Sequence, residues 1–291
     1  MIDVGRGDPI VMIPGIQGHW QWMAPAIDAL AVRHRVLSFS LQEIDEEHSR
    51  TGLARASETR PRSSGSASEQ TSAKSTPEVD SVFARWVSLI DALLDRAGAA
   101  RAIVVGVSFG GVVAAHYAAQ RPARVRALVL VSAPSPRWRP PEHVAAQLRH
   151  PRLALPRFAA GAVARLVPEI RAAIPSWPAR VRFVLGYGYR TLRWPVMPRR
   201  MAAWVMAWQA AADLAAACHA ITAPTLVITG DPRLDRVVPV SSSLDYLQLI
   251  PGARAVTLAR TGHIGCVSRA ETFAAMVDGF VHGDGSVFHS D

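Results

Sequence analysis

An α/β fold, a mostly parallel sheet flanked by helices, is what the 291-residue chain predicts, on three observations. Short β-branched runs alternate with segments of helical period, which is the rhythm of successive βαβ units. One such run ends in Gly106-Val107-Ser108-Phe109-Gly110 and passes directly into a helix-like run, so strand and helix meet at a glycine-flanked serine. The rhythm breaks near residue 135 and resumes near 215, as it does when one sheet carries an excursion.

The elements follow in order. Ile10–Ile13 is a short apolar strand that ends in Pro14-Gly15-Ile16-Gln17-Gly18. A helix is predicted from about Trp20 to Arg33, with Trp22, Ala26, Ile27 and Leu30 at helical spacing, and a strand over Val36–Ser40. From Ala54 to Pro77 no aliphatic or aromatic residue exceeds alanine in size and serine dominates. Such a stretch buries too little surface to offset its ordering entropy, so residues 54–77 are expected to be a disordered loop and a first site of proteolysis. Order resumes where Thr76 can cap a helix that has Pro77 in its first turn. Its stripe of Phe83, Trp86, Leu89, Ile90, Leu93 and Leu94 runs to Gly98. The strand Ala102–Val105, a helix to Gln120 and the buried strand Ala127–Val131 come next. Residues 135–215, rich in Pro, Arg, Trp and Ala, read as a mostly helical cap packed over the sheet. The sheet then continues with Pro224–Thr229, a helix over Ser241–Leu249, a strand over Ala255–Leu258 and a last helix over Glu271–Val281. The domain boundaries expected are therefore 1–134 with 216–291 for the core and 135–215 for the cap.

Composition narrows the function classes. No apolar run reaches the roughly 18 residues of a membrane span, and the first residues have neither the basic start nor the apolar stretch of a signal peptide. Two cysteines, Cys218 and Cys266, form no disulfide framework and no metal-ligand spacing, so reduced thiols and a cytoplasmic location are expected. The net charge of +9 is carried almost wholly by arginine, Lys74 being the single lysine. Between Arg137 and Arg200 there are thirteen arginines and two acids, Glu142 and Glu169, which leaves the rest of the chain slightly acidic. No nucleic-acid-binding module accompanies this charge. The plain reading is that these arginines solvate the outer faces of cap helices; the sharper one is that they meet an anionic substrate group, or an anionic lipid surface through Leu153–Ile174.

The chemistry centres on Ser108. Gly-x-Ser-x-Gly between a strand and a helix is the pattern of a nucleophile elbow, whose sharp turn needs small neighbours. A serine hydroxyl requires a base, and the base an orienting acid. Of ten histidines, His263 in Thr261-Gly262-His263-Ile264-Gly265 follows the last strand, at the sheet edge where the elbow lies. The acid should follow the preceding strand, where Asp231 and Asp235 both stand. Metal-site spacing and phosphate-loop context are absent from the sequence. His19, Trp20, Trp22, His116 and Cys266 read more readily as packing residues than as site residues.

With these residues in place, the chain resembles the α/β-hydrolase fold superfamily, in its serine-nucleophile, cap-containing branch. The resemblance covers nearly the whole length apart from the serine-rich loop and, weakly, the cap. It implies a helical cap inserted after the sixth strand of the family's sheet, one or two of whose N-terminal edge strands are missing or rudimentary here. The family order Ser, Asp, His maps onto Ser108, Asp235 and His263. Asp235 has the family's distance to Pro239, but two extra residues separate it from Gly230, so Asp231 stays as the alternative. By the same resemblance the oxyanion hole is formed by the backbone N–H groups of Ile16 and Phe109. Pro14-Gly15 replaces the usual His-Gly there. The implied activity is a serine hydrolase acting on an ester or related acyl bond of a small, largely apolar substrate, with no cofactor. A lactonase, C–C bond hydrolase, perhydrolase or acyltransferase on the same triad, or a non-catalytic ligand receptor, are the alternatives.

Overall fold

The computed structural model describes residues 1–43, 77–142, 161, 164–211 and 213–283. The loop expected over 54–77 lies outside the described residues, except for its last residue. Seven strands form one sheet in the order β1-β3-β2-β4-β5-β6-β7. They are β1 (Ile2–Gly5), β2 (Pro9–Ile13), β3 (Arg35–Ser38), β4 (Ala102–Val107), β5 (Val125–Val131), β6 (Thr225–Thr229) and β7 (Arg254–Thr257). All pairings are parallel except that of β1 with β3, which runs Ile2 against Ser38. The short antiparallel β1 is an N-terminal edge strand that hydropathy alone did not reveal, because three of its four residues are exposed.

Successive side chains of a strand face opposite ways, and the sheet has a core on each side. Ile13, Val104, Leu128 and Leu130 face one, against α2 (Pro77–Arg96) and α3 (Phe109–Gln120). Met12, Val105, Val129 and Ile228 face the other, against α1 (Ala24–Leu30) and the C-terminal helix. The helix expected over Trp20–Arg33 is shorter: Trp20–Met23 is a 3₁₀ turn, and Pro25 in the first turn of α1 sets the start of the true helix.

Between β5 and β6 the described residues form α4 (164–173), α5 (Trp177–Arg193), α6 (Pro198–Ala210) and α7 (Leu214–Cys218), with no strand among them. Aromatic contacts dock this excursion. Trp204 stacks on Phe109 at 6.3 Å and meets Trp86 edge-on at 5.7 Å. On the other flank, Tyr187 meets Trp22 edge-on at 5.3 Å, and the Trp22 indole N–H donates to the Trp194 carbonyl at 3.1 Å. The helix expected over Ser241–Leu249 is two short pieces, α8 (Val240–Leu244) and α9 (Tyr246–Leu249), broken at Asp245. After β7 come α10 (Gly265–Ser268) and α11 (Ala270–His282), the latter ended by Gly283 at φ 76°. No described helix is long and apolar enough to cross a membrane.

Candidate active site

Ser108 sits at the junction of β4 and α3 with φ 53° and ψ −124°, a conformation that L-residues rarely adopt. The surrounding structure has to over-determine such a residue to hold it. Its N–H donates to the Val131 carbonyl at 2.8 Å, and the Gly111 N–H donates to its own carbonyl at 2.8 Å. Glycine is demanded by contact distances. A Cβ on Gly110 would lie 2.4 Å from the Ile13 and Pro14 carbonyl oxygens, and one on Gly106 would lie 2.4 Å from the Gly110 oxygen. The elbow is therefore wedged between its own helix and the end of β2. The Pro14–Gly18 loop abuts it, since a Cβ on Gly15 would lie 3.4 Å from the Ser108 Cβ. A turn closed by the Gly18 N–H on the Gly15 carbonyl at 2.9 Å carries Ile16, and Phe109 opens α3.

The loops after β6 and β7 are laced together. The Leu258 N–H donates to the Thr229 carbonyl and the Asp231 N–H to the Thr261 carbonyl, both at 2.7 Å. The two extra residues after Gly230 are absorbed in one helical turn, in which the Asp235 N–H donates to the Asp231 carbonyl at 3.0 Å. That turn swings Asp235 inward. Its Oδ1 accepts the Val237 and Val238 N–H groups at 3.0 Å each, and its Oδ2 lies 3.3 Å from His263 Nδ1. His263 Nε2 is 3.0 Å from Ser108 Oγ. A carboxylate on the Nδ1 side makes that nitrogen the donor and leaves Nε2 to accept the serine proton. Ser108, Asp235 and His263 are all buried. Asp231 is elsewhere: its Oδ1 accepts the Arg233 N–H at 2.8 Å, which is a loop-capping role.

Electrostatics sharpen the arrangement. Burial alone would raise the Asp235 pKa, but the His263 charge, its hydrogen bond and the two N–H donors prevail, and the pKa falls. Burial alone would lower that of His263, but Asp235, with help from Glu169, reverses this and raises it. In the sequence Glu169, on α4, is simply one of two acids in an arginine-rich segment. It is buried, and its Oε1 accepts the Ile264 N–H at 2.9 Å, so the excursion grips the His263 loop directly. Oε2 has no hydrogen-bond partner among the described residues and packs where a Cβ on Gly262 would meet it at 2.8 Å. Burial pushes its pKa up to about 7, against the pull of the Gly262 N–H and the His263 charge. The only sequence signal was an isolated acid beside Val167 and Ile170 on an apolar helix face.

Other residues singled out in the sequence make contacts within the fold. Trp22 is buried, and His19 is bonded to the Gln42 side chain. The His116 ring packs edge-on against Phe83 at 5.0 Å. Cys266 and Cys218 are free and buried, and burial pushes both thiols up to about 12, far from a reactive thiolate.

Comparison with known proteins shows the family and the fold. The sequence pattern of the Alpha/beta hydrolase family matches residues 10–276. A 2-hydroxymuconate semialdehyde hydrolase of Pseudomonas putida is 31% identical over 211 residues, which cover 68% of each chain. Among solved structures, an esterase of Exiguobacterium antarcticum superposes with a TM-score of 0.68 at 19% identity, over 97% of this chain and 94% of the other. The enol-lactonase of Burkholderia xenovorans LB400 gives 0.66 at 21% identity, over 97% and 95%.

Proposed function

The chain belongs to the alpha/beta hydrolase family, and from that premise we propose that it is a serine hydrolase acting on an ester or related acyl bond of a small, largely apolar substrate. The observation that carries this reading is the relay from Asp235 through His263 to Ser108, with spans of 3.3 and 3.0 Å. Ser108 Oγ attacks the acyl carbon as its proton passes to His263 Nε2. The resulting imidazolium is stabilised by Asp235, whose position also sets the tautomer. The Ile16 and Phe109 N–H groups hold the oxyanion. His263 then returns the proton to the leaving group, and water, activated by the same imidazole, releases the acyl-enzyme. The chemistry calls for no cofactor. Two buried, unpaired cysteines support a reducing, cytoplasmic setting.

A second reading, C–C bond hydrolysis on the same three residues, is favoured by the Pseudomonas putida relative. A non-catalytic receptor would have no need of an aligned relay. Labelling by a fluorophosphonate probe, which requires an activated serine, separates enzyme from receptor. The expected result is stoichiometric labelling of the full chain, lost in Ser108→Ala. Turnover of a panel of acyl esters should fall in the same variant by about four to six orders of magnitude. Absence of labelling, or a Ser108→Ala protein that keeps more than a few per cent of its activity, would overturn the reading.

A further inference from the structure

Helix α5 is apolar on two opposite faces. Phe183 and Tyr187 pack inward against the second core. On the outer side Trp177, Val181, Val184, Leu185, Tyr189 and Leu192 recur at helical spacing and are all exposed. Leu192 is 84% exposed, Trp177 70%, Leu185 68% and Tyr189 63%. Fifteen residue rises of helix, from Trp177 to Leu192, make this stripe about 22 Å long. An apolar band of that length on an otherwise well-packed α/β protein marks an interaction surface.

Charge identifies the occupant. The helix carries Arg180, Arg182, Arg190 and Arg193 and no acid. At 100° per residue Arg182 and Arg193 border one side of the stripe and Arg180 the other, with Arg190 further back. None of the four makes an ion pair with a described carboxylate. Arg180 bonds the Ile174 and Pro175 carbonyls, and Arg193 lies over the Trp194 ring, 5.5 Å from its centre. A second copy of the chain would bring one cationic helix against another with no acid on either to meet it. Nucleic acid supplies anions but no apolar partner for Leu185 and Leu192. A membrane surface bearing anionic headgroups supplies both, with Trp and Tyr at interfacial depth and arginines reaching outward to phosphates.

We propose that the outer face of α5 docks the protein on anionic lipid bilayers. The sequence points to such a contact at Leu153–Ile174, part of which lies outside the described residues; the exposed stripe is on the next helix. Each arginine held near an anionic surface is worth about fivefold in binding, and immersion of the stripe adds to this.

Co-sedimentation of the full chain with vesicles tests it. Phosphatidylcholine vesicles containing 30 mol% phosphatidylglycerol, at about 0.1 M salt, are compared with pure phosphatidylcholine. Binding at least tenfold tighter to the anionic vesicles is expected, weakening as salt rises. The double variant Leu185→Asp/Leu192→Asp should lose this binding, and Arg182→Glu/Arg193→Glu should lose it by about tenfold or more. Both alter exposed positions, so unchanged circular dichroism and unchanged Ser108 labelling show that fold and catalytic site are intact. That control separates failure here from failure of the hydrolase reading. Equal sedimentation with both vesicle types, or anionic binding unaffected by the Leu variant, overturns the proposal. So does sedimentation velocity showing a dimer that the same variant dissociates, because the occupant would then be a second copy.

Discussion

At the scale of single residues, the site turns on how two carboxylates share one imidazole. Asp235 contacts His263 and raises its pKa, and Glu169 adds to the effect from the opposite element. Only the neutral imidazole accepts the Ser108 proton, so kcat/KM rises with pH as His263 deprotonates. A raised pKa puts this acid limb above the ordinary imidazole value of about 6.5. Asp235→Asn should lower kcat by about 10⁴-fold through loss of the tautomer and shift the limb to lower pH. Asp231→Asn should leave both within a few fold, since among the described residues the Asp231 carboxylate bonds a loop N–H and not His263. Steady-state kinetics on the two variants decide this, and a reversed ranking would move the acid to Asp231. Glu169→Gln preserves an acceptor for the Ile264 N–H while removing charge. Its expected signature is an acid limb displaced to lower pH with kcat within about tenfold of wild type. Glu169→Ala, which strands that N–H in a buried setting, should cost kcat as well. An identical limb in wild type and Glu169→Gln would show that the carboxylate is electrically silent.

At the scale of elements, the elbow is the point where a strand, a helix and a loop meet without spare volume. Gly110→Ala would force a methyl group against the Ile13 and Pro14 carbonyl oxygens at 2.4 Å. Neither atom is the end of a flexible side chain, so the backbone itself must shift. A loss of about 1–3 kcal/mol is expected, with weaker labelling of Ser108. Gly188, inside α5, is the contrasting case, with open space around its missing Cβ and no positive φ. Gly188→Ala should stabilise the protein by up to about 1 kcal/mol, through helix propensity alone. Thermal unfolding of the two variants should therefore move in opposite directions. A Gly110→Ala protein with unchanged midpoint and labelling would mean that the elbow has room that these distances deny.

At the scale of the whole molecule, charge is unevenly distributed. Thirteen arginines against two acids stand between 137 and 200, while the rest of the chain is slightly acidic in net charge. This field reaches the site, since Arg165 acts against protonation of His263. Anionic substrates should thus be drawn to the serine, by an attraction that salt screens. For esters matched in size, kcat/KM should favour the anionic one at low salt, and the advantage should shrink as ionic strength rises. Equal rates for the two esters at all salt levels would leave these arginines as ordinary surface.

Legibility followed the range of the interactions. The parallel sheet, the elbow and the positions of Ser108 and His263 were readable because local pattern determines them. β-branched runs make strands, and only glycine fits beside a left-handed serine. The choice between Asp231 and Asp235 could not be read that way. It depends on one helical turn that absorbs two residues and on the Thr261 carbonyl that receives the Asp231 N–H. β1 escaped because its partner β3 lies about thirty residues away and most of its side chains are exposed. Glu169 escaped for the same reason, since nothing within α4 says that its carboxylate meets the His263 loop. The outer stripe of α5 has ordinary amphipathic spacing; only packing shows which of the helix's two apolar faces has a partner. The chain by itself determined which residues are candidates for nucleophile, base and acid. The tertiary structure decided which acid stands against the base, and which apolar surface is left for something outside the molecule, because both are contacts between segments far apart in sequence.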